Sequence, residues 1–288
     1  MMHHPPMGRL AAALASALVS LGPALAEPPG TVAIPSCAVQ PALSEIGVAL
    51  DRSAARIDQG SPLTIVAMGS SSTLGVGASA PSMSYPSRLE GELRDRFPSH
   101  EIRVLNRGIG GQDVPEELNR LERDVVAEHP DLVIWQVGTN AVLRRDDLTA
   151  DEQLIRRGVS LMKEHAIDVV LMDLQYARRV LARPAWDEME RVIGKIAHSN
   201  RVGLFRRFEI MEEWDHTQQL APAAMIGPDG LHMTDASYGC LATELAEALA
   251  WNWWSHGKIA KSLHQRPEAV SRLSQPTTPP LSSALRPP

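Results

Sequence analysis

A chain of 288 residues with 44% hydrophobic residues and a formal charge of −6 has the composition of one globular domain with a sizeable core. The mild acidity offers no electrostatic footprint for nucleic acid, and aromatic residues at 4% provide no row of platforms on which bases could stack. Two cysteines, Cys37 and Cys240, are too few for a disulfide scaffold or a cysteine-rich metal site.

The chain opens with Arg9, the apolar run 10–21, Gly22-Pro23 and the small-x-small triplet Ala24-Leu25-Ala26. A basic start, a short apolar stretch and a small-residue site together read as a secretory signal peptide over 1–26, cut before Glu27, with Met7 as an alternative start. An uncleaved anchor is the rival, and Pro23 interrupts it short of the ~20 apolar residues a span needs. Residues 27–41 are Pro-rich and irregular. In an exported protein Cys37 and Cys240 either pair or stay as two buried thiols.

From 42 to 258 strands and helices alternate. Helical spacing marks 42–57, then short β-branched-rich runs mark strands at 63–68, 102–105, 132–137, 168–172 and 202–205. Amphipathic stretches at 85–97, 115–128, 151–164 and 186–198 separate them, and a last helix covers 235–254. The alternation predicts an α/β fold, a five-stranded parallel sheet covered by helices on both faces. The Trp-rich stretch 251–257 reads as the packed end of the last helix rather than a lipid- or glycan-facing patch. The tail 259–288 is Pro-rich and apolar-poor, the composition of a segment that stays disordered.

Open parallel sheets bind ligands outside the carboxyl ends of their strands. There the chain places Gly69-Ser70-Ser71-Ser72-Thr73, then 106–113 (NRGIGGQD), then Gly138-Thr139-Asn140-Ala141; Asp229 and His232 precede the last helix. Each piece alone is ordinary turn chemistry. Together they supply what acyl transfer needs. A serine hydroxyl is a weak nucleophile until an imidazole takes its proton, and the imidazole needs a carboxylate to hold its tautomer. Asp229 and His232 are close enough in the chain to meet. An oxyanion needs fixed donors, and the Gly108 backbone and the Asn140 amide are of the right types.

These four stretches, in this order, resemble the sequence blocks of the SGNH hydrolases, also called GDSL esterases and lipases. The resemblance spans about 63–250. It implies a three-layer α/β/α sandwich of the flavodoxin-like kind, with Ser71 as nucleophile, His232 as base and Asp229 as its orienting carboxylate. It also implies oxyanion donors from the Ser71 N–H, the Gly108 N–H and the Asn140 side chain. Two positions depart from the pattern: Ser70 stands where the blocks carry an aspartate, and Ala141 where a second acid follows the asparagine. Ser70 and Ser72 remain rival nucleophiles, since the register rests on Gly69 and Thr73 alone.

The expected activity is that of an exported serine esterase acting on acyl or acetyl esters, secreted or periplasmic. An O-acyltransferase and a non-catalytic glycan-binding protein of the same fold are the alternatives. No metal or cofactor is expected: no HExxH or Cys-x-x-Cys spacing exists, and His129, His165, His198 and His216 are scattered. The expected partner is a small ester or an O-acylated glycan, with no nucleic acid and no stable membrane insertion once the signal is removed. The glycines at 108, 110 and 111 lack the spacing of a dinucleotide loop, and no P-loop lysine follows.

Overall fold

The computed structural model of the chain describes residues 1, 37–144 and 147–257. Apart from Met1, the expected signal peptide lies outside the described residues, as do the tail 259–288 and most of the irregular stretch 27–41.

Five strands form one sheet: β1 (Leu63–Gly69), β2 (Ile102–Gly108), β3 (Leu132–Gln136), β4 (Asp168–Met172) and β5 (Gly203–Phe205). The order is β2-β1-β3-β4-β5 and every pairing is parallel. This is the flavodoxin-like order, whose direction reverses between β1 and β3 and so leaves a crevice at their carboxyl ends. The α/β class and the strand count stand as expected.

Central strands of a parallel sheet are covered on both faces and read as unbroken apolar runs. Ile65, Val66, Ala67 and Met68 of β1, and Leu132, Val133, Ile134 and Trp135 of β3, are accordingly closed to solvent. One helical layer joins Asp51–Gln59, Tyr85–Arg96 and Asp235–His256. A second joins Val114–Asn119, Leu148–Glu164 and Trp186–Asn200.

Several elements differ from the sequence expectation. The helix anticipated over 42–57 is a single 3₁₀ turn, Pro41–Leu43, followed by a helix only over Asp51–Gln59. Its N-cap residue, Leu50, has no side-chain acceptor. The cap comes from the first residue of β4, where Asp168 accepts from the Ser53 N–H at 2.8 Å and the Arg52 N–H at 3.4 Å. The helix expected over 115–128 is broken into Val114–Asn119, Leu121–Asp124 and a 3₁₀ turn Val126–Glu128, with Arg120 at the first break. Helices at Thr139–Arg144 and Arg207–His216 had no distinct apolar stripe to announce them.

The Trp-rich end of the last helix is only partly packed. Trp253 is buried and donates to the Ser53 hydroxyl at 2.9 Å, while Trp251 and Trp254 are exposed. Cys37 and Cys240 form a disulfide with a Cα–Cα distance of 5.2 Å. Beside it, the Trp214 indole N–H donates to the Cys37 carbonyl at 2.7 Å and the Gln40 N–H to Glu213 at 3.0 Å. No helix of the described residues is long and apolar enough to cross a membrane.

Candidate active site

β1 ends at Gly69 and the chain turns directly into the short helix Ser71–Leu74. A Cβ at Gly69 would run into Thr73 Oγ1 and the Gln136 side chain, so this corner needs glycine. The turn presents the three serines differently. Ser70 is buried, and both its N–H and its hydroxyl donate to Gln136 Oε1, at 3.2 and 3.1 Å. Ser72 is buried against Tyr238. Ser71 faces outward, and its Oγ lies 2.8 Å from His232 Nε2.

His232 stands on a loop closed by the Ile226–Met233 bridge, with the Gly227 N–H donating to the His232 carbonyl at 2.8 Å. Within that loop Asp229 folds back on its own backbone. Its Oδ1 accepts from the Leu231 and His232 N–H groups, both at 3.0 Å, and its Oδ2 lies 2.5 Å from His232 Nδ1. Burial raises the Asp229 carboxyl, but the Leu231 N–H, the His232 ring and the His232 N–H more than offset it and hold it at about 2. The carboxylate is therefore charged at neutral pH, the form that orients an imidazole with Nε2 free to take a proton.

Hydroxyl and imidazole come from opposite ends of the domain, and two contacts tie their segments together. The Ser79 N–H donates to Asp235 at 2.8 Å, and the Tyr238 hydroxyl donates to the Val76 carbonyl at 2.8 Å. None of these four residues stands out in the sequence.

The expected oxyanion donors sit at three strand ends. The Ser71 N–H opens its helix without a partner among the described residues. Asn140 follows β3, and its Nδ2 donates one hydrogen to the Gln112 carbonyl at 2.7 Å, which leaves the second amide hydrogen. Gly108 differs from the expectation. Its N–H donates to Asn106 Oδ1 at 2.9 Å, and a Cβ there would collide with the backbone of Thr73 and Leu74. In this geometry Gly108 is the point where β2 closes on the serine helix. Among the described residues, the N–H groups without partners in the same loop belong to Gly110 and Gly111.

Sequence reasoning passed over Gln136 and Arg120. Gln136 ends β3, buried, where its Oε1 also accepts from Thr73 Oγ1 at 3.4 Å. A polar residue closing an apolar strand was the available signal. Arg120 was hidden inside an amphipathic helical pattern. Among the described residues no group of three His, Cys, Asp or Glu side chains is arranged to hold a metal ion.

Against this geometry, the sequence pattern of the Non-GDSL lipase-like family matches residues 36–252. An acetylxylan esterase of Geobacillus stearothermophilus is 27% identical over 198 residues, 64% of this chain and 86% of the relative. The crystal structure of a catalytic mutant of that organism's acetylxylan esterase Axe2 superposes with a TM-score of 0.56 at 25% identity, covering 66% of this chain and 95% of the other. In separate catalytic mutants of Axe2 a serine and an aspartate are each replaced by alanine. A two-domain esterase active on acetylated mannans shares the fold, with a TM-score of 0.59 at 20% identity over 73% of this chain and 56% of its own.

Proposed function

The chain belongs to the Non-GDSL lipase-like family and is a carboxylic ester hydrolase of the SGNH-like superfamily, and from that premise we propose that it is an exported serine esterase removing acyl groups, acetyl above all, from an O-acylated glycan. The observation that carries the reading is the continuous line Ser71 Oγ, His232 Nε2, His232 Nδ1 and Asp229 Oδ2, with successive contacts of 2.8 and 2.5 Å.

On that reading His232 takes the Ser71 proton as Oγ bonds to the ester carbonyl carbon. Asp229 keeps its charge throughout and stabilises the imidazolium. The carbonyl oxygen becomes an oxyanion, and the Ser71 N–H, the remaining Asn140 amide hydrogen and a free N–H of the Gly110-Gly111 turn are its donors. The turn takes the part that Gly108 was expected to play, because Gly108 is engaged by Asn106. Collapse of the tetrahedral intermediate breaks the bond to the alcohol, which receives the proton from His232. Water then attacks the acyl-serine with His232 again as base, releasing the acid and restoring Ser71.

The acetylated glycan is supported by the acetylxylan esterase relative. Export is supported by the signal-like sequence over 1–26 and by the Cys37–Cys240 disulfide, a bond characteristic of oxidising compartments. The test is Ser71→Ala. It abolishes hydrolysis of p-nitrophenyl acetate and of acetylated xylan and leaves thermal unfolding nearly unchanged. A fully active variant would return the nucleophile to Ser70 or Ser72, and a wild-type enzyme that fails to label with a fluorophosphonate would remove serine catalysis altogether.

A further inference from the structure

The two acids that the SGNH blocks carry beside the nucleophile and beside the asparagine are here Ser70 and Ala141. A buried cation from a different element reaches the same strand ends. Arg120 is only 4% exposed and sits at the break between the helices Val114–Asn119 and Leu121–Asp124. Its Nη2 donates to the Gly69 carbonyl at 3.1 Å and its Nη1 to the Arg107 carbonyl at 2.8 Å, at the carboxyl ends of β1 and β2. Nε donates to Gln112 Oε1 at 2.6 Å, and Asp124 balances the charge at 3.1 Å from Nη1. Gln112 is also the residue whose carbonyl holds the Asn140 amide at 2.7 Å.

We propose that Arg120 is a positioning residue of the oxyanion hole: through Gln112 it fixes the Asn140 amide relative to the serine turn that follows Gly69. The inference rests on the acyl-transfer reading above and adds to it the part that sets donor geometry. Only a planar guanidinium can serve acceptors on β1, β2 and the glycine loop together, and a lysine ammonium is a point charge that cannot. Donor placement matters because an oxyanion hole works by being preorganised, and loss of one donor slows acyl transfer by about 10²–10³. A donor left in place but loosened gives a smaller loss, roughly tenfold or more.

The experiment measures kcat and KM for p-nitrophenyl acetate and for acetylated xylan in Arg120→Lys, Gln112→Ala, Gln112→Glu and Asn140→Ala, and in the double variant Gln112→Ala with Asn140→Ala. Expected are a kcat lowered roughly tenfold or more in R120K and Q112A with KM within about twofold, and rescue in Q112E, which keeps an acceptor for Arg120. Because Gln112 acts through Asn140, Q112A in the N140A background lowers kcat by less than about twofold. Gln112 is a loop residue, so Q112A decides the matter even where R120K fails to fold. A wild-type kcat in Q112A, or losses that multiply in the double variant, would overturn the proposal. A wild-type enzyme that fails to label with a fluorophosphonate instead signals failure of the acyl-transfer reading itself, whereas a labelled enzyme with an unaffected Q112A signals failure of this inference alone.

Discussion

At the scale of single residues, three adjacent serines acquire three different fates from their neighbours. Gln136 engages Ser70, Tyr238 engages Ser72, and His232 meets Ser71. His232→Ala is expected to lower turnover by at least ~10²-fold, the usual contribution of a positioned base, read on p-nitrophenyl acetate. Gln136→Ala removes the acceptor of two buried donors, the Ser70 N–H and the Ser70 hydroxyl, while the Thr73 hydroxyl keeps the Tyr85 hydroxyl as a partner. A loss of about 1–3 kcal/mol in chemical denaturation is expected, because such donors are costly to leave unpaired. Glu117 gives a pH signature. Its burial raises the carboxyl to about 8, although it accepts the Trp135 indole N–H at 2.7 Å. The fold keeps this proton over a range in which the unfolded chain, near 4.5, has lost it. The contribution of Glu117 to stability is thus complete below about pH 4.5 and is lost as pH rises toward 8. Glu117→Gln should flatten the fall in Tm between about pH 5 and 8, and an unchanged profile would show that Glu117 is ionised in the fold.

At the scale of elements, caps and breaks were the features least visible in the sequence, because their partners are distant in the chain. The first long helix begins at Asp51 since Asp168, at the start of β4, satisfies its opening N–H groups. Asp168→Ala is expected to destabilise by about 1–2 kcal/mol, the usual effect of losing an N-cap, with Asp168→Asn retaining much of the cap. Equal loss in both variants would assign the effect to charge rather than capping. The broken stretch 114–128 shows the same limit from the other side. Its apolar positions Val114, Leu118, Leu121 and Val125 are spaced as one helix would have them, yet the backbone interrupts at Arg120, whose side chain turns inward to the strand ends. Periodicity reports which face is buried, and it does not report a polar side chain that is buried because distant carbonyls accept from it.

For the whole molecule, the disulfide links residues 203 apart in sequence. In the chain-entropy account a loop of that length stabilises by about 5 kcal/mol, so reduction should lower Tm by on the order of 10 °C. Unreduced, denatured protein should show no free thiol at Cys37 or Cys240. A Tm unaffected by reductant would mean that the bridge constrains little that packing does not already hold.

The sequence by itself determined the sheet. Five β-branched runs separated by amphipathic stretches have few ways to bury both faces, and a parallel, helix-covered sheet is the one they share. It also determined the chemical types available to a site, serines after β1, an asparagine after β3, and an aspartate and a histidine before the last helix, in the pattern that acyl transfer needs. Only the tertiary structure decided which hydroxyl meets the imidazole, that Gly108 closes on the serine helix with its N–H on Asn106, and that Cys37 reaches Cys240. Those are matters of ångströms between groups far apart in the chain, and spacing along a sequence carries no record of them.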